Sequence, residues 1–324
     1  MKDSYGREID YLRLSLTDRC NFRCRYCMPE EGIEKSPRGE ILSFEEIVKL
    51  VKAAASTGVK KVKLTGGEPM TRRDLPELIE MLDGIDGIEE LSMTTNGSFL
   101  AGQAKELSRA GLSRVNISLD AIDPEKFRKI TRSGGVGSVL AGIRAAKDAG
   151  LVPVKLNAVV IKGVNDSEIL PLVEYAVDNE LVLRFIELMP MGEVAEQDMD
   201  LTPLVEVRGV IEEDWNLEGD SGGPKGNGPA SYYQVTRGED SGTIGFIFPI
   251  SRRFCADCNR IRVTASGSIR PCLARDEEYE LDIETDTSVG NLAAGLSRII
   301  KKKPRGHKWE DQQATTGEMS EIGG

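Results

Sequence analysis

The sequence predicts an α/β fold: a partial βα barrel followed by a smaller C-terminal extension. Three observations predict it. From about Tyr11 to Glu187, short β-branched runs alternate with amphipathic helical stretches, the pattern of parallel βαβ units. Helix start and stop signals fall between those runs. After Leu204 the alternation stops and the composition changes.

The first strand is expected at Leu12–Leu16, leading directly into a cysteine-bearing loop. The helix at Phe44–Ser56 opens on Ser43 with Glu46 three residues on, a capping box, and Gly58 lies just past its end. Strand Lys61–Thr65 and helix Leu75–Leu82 follow, then strand Leu91–Thr94 and helix Gln103–Ala110, closed by Gly111. Strand Val115–Leu119, helix Gly137–Ala149 (closed by Gly150), strand Val154–Ile161, helix Glu168–Asn179 and strand Val182–Glu187 complete the series. Six strands suit an incomplete barrel better than an eightfold one, with an open doubly wound sheet as the alternative. In either case function belongs at the carboxyl ends of the strands.

One more helix, Leu204–Asp214, leads into Asn216–Ser231, which holds five glycines and two prolines and is expected to be a loop. Tyr232–Val235, Thr243–Phe248 and Arg262–Thr264 read as strands of the extension. The expected division is residues 1–215 and 216–324, with a tail from about Pro304 that ends in Gly323 and Gly324.

A net charge of −11 argues against general nucleic-acid binding, although a cleft can carry the opposite local sign. The start lacks a secretory layout and no apolar run reaches membrane-spanning length, so a soluble, cytoplasmic chain with no membrane partner is expected. In a reducing compartment cysteines serve metals or redox work more often than disulfides.

All six cysteines fall into two groups: Cys20, Cys24 and Cys27, and Cys255, Cys258 and Cys272. A structural zinc site closes with four ligands, and disulfides use cysteines in pairs. Three thiolates suit a cubane iron–sulfur cluster whose fourth iron is free to bind something else. Zinc with a fourth ligand from elsewhere is the alternative, but the only histidine is His307, in the tail. At the next strand end, Gly66-Gly67-Glu68-Pro69 permits close backbone approach to a ligand, and Glu68 could accept from an ammonium; a plain turn is the other reading. Basic residues at strand ends and beside the second trio (Arg13, Lys63, Lys155, Arg184, Arg260 and Arg262) form a candidate triphosphate clamp.

The first trio, with Tyr26 just before its last cysteine, resembles the signature of radical S-adenosylmethionine (SAM) enzymes. The second trio, Arg13 to Arg19 ahead of the first, and the terminal Gly323-Gly324 narrow the resemblance to the molybdenum cofactor biosynthesis protein A family of GTP 3′,8-cyclases. That resemblance implies a partial barrel of the radical SAM type whose extension carries a second cluster, hence two 4Fe-4S clusters. It implies SAM on the first cluster, a deoxyadenosyl radical that removes hydrogen from ribose C3′, and attack of that carbon on guanine C8 of GTP. By the same resemblance SAM contacts fall to Tyr26, Gly67, Ser118 and Met189. GTP contacts fall to Arg13, Lys63, Thr94, Lys155, Arg260 and Arg262. Core packing is an equal reading for Met189. The family commonly has Arg at Lys63, so a bidentate phosphate contact becomes monodentate. It also implies an external electron donor, transfer of the product to the next pterin-forming enzyme, a homodimer as one assembly, and a tail that enters the active site. A frayed, unusually acidic terminus is the alternative for that tail. The rivals are a peptide-modifying maturase with an auxiliary cluster and a non-catalytic metal-binding or electron-transfer protein.

Overall fold

In the computed structural model the described residues are 1–192, 194, 202–219, 223, 228–283, 287–307, 309 and 315–323. Their strands are β1 (Tyr11–Ser15), β2 (Lys61–Thr65), β3 (Glu90–Thr95), β4 (Arg114–Ser118), β5 (Lys155–Val159) and β6 (Val182–Ile186), then β7 (Asn216–Gly219), β8 (Ser231–Arg237), β9 (Asp240–Ile247), β10 (Arg260–Val263) and β11 (Ile269–Arg270). They form one sheet ordered β11-β10-β1-β2-β3-β4-β5-β6-β9-β8-β7. From β10 to β9 every pairing is parallel. Strands from the C-terminal part therefore extend both edges of the six expected strands, with the antiparallel pairs β10–β11 and β9–β8–β7 outermost.

The sheet is curled. Asn116 on β4, with its amide oxygen turned inward, accepts from Lys63 Nζ on β2 and Arg184 Nη2 on β6, each at 3.0 Å. In a flat sheet β2 and β6 would lie about 19 Å apart, given the usual strand spacing. Only curvature brings the two cations to one amide.

The helices lie on the opposite face, where Leu12, Leu14, Val62, Leu64, Met93, Val115, Ile117, Leu156, Leu183 and Phe185 join the main core. They are α1 (Phe44–Ser56), α2 (Leu75–Asp83), α3 (Leu100–Arg109), α4 (Pro124–Thr131), α5 (Val136–Asp148), α6 (Ile169–Asp178), α7 (Leu204–Asp214) and α8 (Val289–Ile300), whereas the short α9 (Met319–Ile322) packs in a separate small core and leads into Gly323 on the other face. Ser43 and Glu46 cap α1 reciprocally, as their spacing predicts. α3 begins earlier than expected because Phe99, at its N-cap, offers no side-chain cap to mark the start. α4 is an unexpected helix, although its signal is in the chain: Asp123 caps the Glu125 and Lys126 amides and Pro124 opens the first turn. α8 is likewise unexpected, with Ser288 as its cap.

The expected loop at Asn216–Ser231 needs correction. Its first four residues are β7, which takes β8 as an antiparallel partner; pairing, not side-chain propensity, makes this strand. Residues 220–222 and 224–227 of that stretch lie outside the described residues.

A close approach stands at α5, where a Cβ on Gly142 would come within 2.2 Å of the Gly97 carbonyl oxygen and 3.1 Å of Leu100 Cβ, at the start of α3. Helix propensity alone predicts that Gly142→Ala stabilises by about 1 kcal/mol. Overpacking against backbone outweighs it, so the expected outcome is a loss of roughly 1–3 kcal/mol in urea unfolding of the metal-free chain. A gain in stability would show that α5 can move away.

Candidate active site

At the carboxyl end of the parallel strands, the first cysteine loop is locked to the next strand end. Gly67 N–H donates to Thr17 O at 2.7 Å and Glu68 N–H to Arg19 O at 2.8 Å. A Cβ at Gly67 would fall 2.5 Å from Arg19 O, so two backbones meet there and no other residue fits. Glu68 is buried and accepts from Met70 N–H (3.0 Å), Thr95 Oγ1 (2.8 Å) and Asn96 N–H (2.7 Å). Burial still pushes its carboxyl up to about 7. It ties the ends of β2 and β3 together beneath the cysteine loop, with most of its acceptor capacity already used. Tyr26 Oη donates to Asp120 Oδ2 at 2.7 Å, and Val159 N–H holds the other oxygen at 2.8 Å. Burial raises Asp120 to about 6. Ser118, at the end of β4, is half-buried opposite Asn157.

The three thiols of this loop are close enough to act on one another's charge. Burial, and then an ionised Cys27, push the Cys24 thiol well up, and burial raises Cys20 to about 11. Such thiols become thiolates only against a bound cation. By ligand count three thiols fit a cluster with one iron left free better than they fit zinc, which needs a fourth donor, and among the described residues no group of three such side chains is drawn together around a single ion. His307 is not that donor. Its Nε2 lies 2.7 Å from Pro249 O and its Nδ1 accepts from Trp309 N–H at 3.4 Å.

Below this mouth lies a floor of positive charge. Register sets Arg262, Arg13, Lys63 and Ser92 side by side across β10, β1, β2 and β3, with Arg114 next on β4. Two residues further along, Thr94, Asn116 and Lys155 align in the same way, and Asn157 pairs with Arg184. Alternation puts all of them on one face. Lys63 is 1% and Lys155 2% exposed. Burial lowers Lys63 far below its usual value, and Arg114, Arg13 and Arg184 add to the effect. Burial, then Arg114 and Arg184, bring Lys155 down to about 7. Glu90 offsets some of this charge, with its Oε1 2.5 Å from Arg114 Nη2. Thr94 Oγ1, Arg184 Nε and Arg260 Nε are buried with no hydrogen-bond partner.

The second trio lies beside β10. Cys258 stands two residues before Arg260, and Cys272 follows β11. Burial raises Cys258, but Lys303 and Arg260 more than reverse this and lower it. The tail runs between the two trios. Thr315 bridges Met191 in parallel, α9 follows, and Cys27 accepts from Ser320 N–H. Gly323 sits against Ser15 and Thr65, one pleat above Arg13 and Lys63, and its carbonyl accepts from Arg262 Nη1 at 2.5 Å. Gly324 lies outside the described residues. Met189 packs with Met191, Trp309, Ile322 and Cys272, so its side chain serves a small core at this same place.

Two sequence-family models cover most of the chain: the Radical SAM superfamily over residues 14–176 and Molybdenum Cofactor Synthesis C over residues 181–309. Among curated proteins, a GTP 3′,8-cyclase of Pelotomaculum thermopropionicum is 45% identical over the whole of both chains. A GTP 3′,8-cyclase of Moorella thermoacetica is also 45% identical over the whole of both. The chain belongs to the GTP 3′,8-cyclase family. Among solved structures, SuiB of Streptococcus suis bound to precursor peptide SuiA has a TM-score of 0.65 at 14% identity, covering 94% of this chain and 73% of that one. At that identity the likeness concerns fold alone. Membership of this radical SAM family implies SAM and a 4Fe-4S cluster. No described helix is long and apolar enough to cross a membrane.

For a GTP 3′,8-cyclase the floor holds more than sequence reasoning selected. Arg114 was passed over, although it stands two residues before Asn116 and thus shares its face. Asp120 and Lys303 carry no local signal that selects them, and Tyr232, whose hydroxyl is 3.5 Å from Lys155 Nζ, reads from sequence only as a strand residue.

Lys155 supplies a pH test. Above pH 7 it is largely neutral in the free protein, and a bound polyanion favours its charged form. Binding of inorganic triphosphate should therefore take up close to one proton at pH 8, and affinity should fall by up to about tenfold per pH unit between pH 7 and 9. Calorimetry in buffers of different ionisation enthalpy measures the uptake. Lys155→Met should lower the uptake by close to one proton, and uptake unchanged in that variant would assign the proton elsewhere.

Proposed function

We propose that this chain is a radical SAM GTP 3′,8-cyclase acting at the first step of molybdenum cofactor biosynthesis, with a 4Fe-4S cluster on each cysteine trio. The observation that carries this reading is the row of buried cations on one face of the sheet, lying between the two trios. A nucleoside triphosphate is the ligand class that such a row suits, and full-length identity with curated cyclases favours GTP over the peptide of a maturase. A division near residue 215 belongs to the same reading, the later strands serving to build the second centre against both edges of the first six.

In this reading Cys20, Cys24 and Cys27 hold the first cluster, and Cys255, Cys258 and Cys272 hold the second. Tyr26, Gly67, Ser118 and Met189 line the SAM pocket. Gly67 acts through its backbone, which the meeting with Arg19 holds in place, and Tyr26 through its ring, since its hydroxyl is committed to Asp120. Arg13, Lys63, Thr94, Lys155, Arg260 and Arg262, with Arg114 and Arg184 added, hold the triphosphate and orient the ribose. The bound clusters and SAM supply an electron and a hydrogen-abstracting carbon radical; the chain supplies position. A primary carbon radical attacks any nearby C–H bond, so the ribose must be fixed before it forms. The cationic floor does this by fixing the phosphates, and the tail residues above Arg13 exclude water. The electron balance calls for an external donor, and the cyclised nucleotide passes to a pterin-forming enzyme.

Anaerobic reconstitution with iron and sulfide, followed by SAM, reductant and GTP, tests this. The expected result is about eight irons per chain, the content of two cubane clusters, with deoxyadenosine release that depends on GTP and a cyclised guanosine product. Arg262→Ala should leave the iron content unchanged and weaken GTP binding by roughly tenfold to a hundredfold, the loss of one charge-assisted contact. Deoxyadenosine released equally without GTP, with no cyclised nucleotide, would favour the maturase reading.

A further inference from the structure

The segment after α8 wraps the second cysteine trio, and one side chain in it touches two of the three cysteine segments. Lys303 is 4% exposed, and its Nζ donates to Arg260 O at 2.8 Å and to Pro271 O at 2.6 Å. Arg260 stands two residues beyond Cys258, and Pro271 immediately precedes Cys272. An ammonium has three N–H donors. Two are directed by these carbonyls, and the positive charge so fixed lies near enough to the Cys258 thiol to lower it. The third cysteine is tied to the same segment from the other side. Arg7, clamped by Asp3 at 2.6 Å, donates to Cys255 O at 2.7 Å, Pro304 O at 2.6 Å and Arg305 O at 3.1 Å. Gly306 adjoins Cys255, and a Cβ placed on it would lie 3.6 Å from that sulfur.

We propose that Lys303 is the positioning residue of the second metal centre: it holds the Cys258 and Cys272 segments in register and raises the reduction potential of the cluster they carry. This rests on the two-cluster reading above. The physical cause is direct. Reduction adds negative charge to a cluster, and a buried ammonium fixed between the Cys258 and Cys272 segments by Arg260 O and Pro271 O stabilises the reduced form more than the oxidised form. Hydrogen bonds to sulfur and local charge are among the levers by which proteins set such potentials. Arg260 lies in the same grip, because Lys303 holds its carbonyl while its guanidinium, 5.0 Å from the Phe254 ring centroid, faces the substrate floor. Lys303 thus links the second centre to the triphosphate site without touching substrate.

The test uses the full chain carrying Cys24→Ala and Cys27→Ala, so that only the second trio can hold a cubane cluster. Redox titration followed by electron paramagnetic resonance then compares Lys303 with Lys303→Arg, Lys303→Gln and Lys303→Met. The expected result is a potential close to the parent for Lys303→Arg and clearly more negative for the two neutral variants. In the otherwise native chain, loss of the second cluster alone in Lys303→Met, with SAM binding at the first trio intact and rescue by Lys303→Arg, also supports the proposal. Equal potentials in all four proteins overturn it. So does simultaneous loss of both clusters, which would make Lys303 a fold residue only. A parent chain that takes up no cluster at the second trio removes the two-cluster reading, and this inference falls with it.

Discussion

Like charges gathered inside a curled sheet are the constraint on which this molecule is built. Lys63, Lys155, Arg184 and Arg262 are buried, Arg13, Arg114 and Arg260 half-buried, and Glu90 is the carboxylate that meets them. Two unit charges some 6–7 Å apart in a medium of effective dielectric 20 repel by about 2–3 kcal/mol. Several such pairs are held only because the opposite face of the same strands is apolar and packed under helices. Burial, and after it the neighbouring guanidinium charges, displaces Lys63 and Lys155 downward. A polyanion reverses that displacement. Substrate binding and the cost of folding are therefore two sides of one electrostatic imbalance.

The metal-binding ends inherit their geometry from this sheet. The first cysteine loop leaves β1 just above Arg13, and the Gly67 and Glu68 contacts fix it against the ends of β2 and β3. The second trio is carried by β10 and β11, which pair onto β1 from the opposite side. β1 thus stands between the two cysteine trios, and strand pairing sets the spacing of the strands from which their loops leave. The tail closes the gap. Gly323 reaches Ser15, Thr65 and Arg262 together, a position available only to a residue with no side chain.

Much of the central architecture was legible from local pattern. The six parallel strands and most of the helices between them followed from hydrophobic alternation and caps, as the agreement at Lys61–Thr65 and Phe44–Ser56 illustrates. α4 was signalled by Asp123-Pro124 but hidden by its polarity. β7 could not be read, since Asn216–Gly219 has no strand propensity and exists because β8 lies beside it. The six cysteines were legible as two trios, because thiol chemistry is written in residue type and spacing.

By itself the sequence determined the alternating strands and helices, the two sets of three sulfurs and the identity of the main cations, since each depends on neighbours within a few residues. Tertiary structure alone decided that Arg114 joins Lys63 and Lys155, that His307 is committed to Pro249 and Trp309, and that Lys303 reaches both Arg260 and Pro271. Apart from His307 with Trp309, those meetings join residues tens of positions apart. They are fixed by strand order, register and curvature, quantities that no local window of the chain contains.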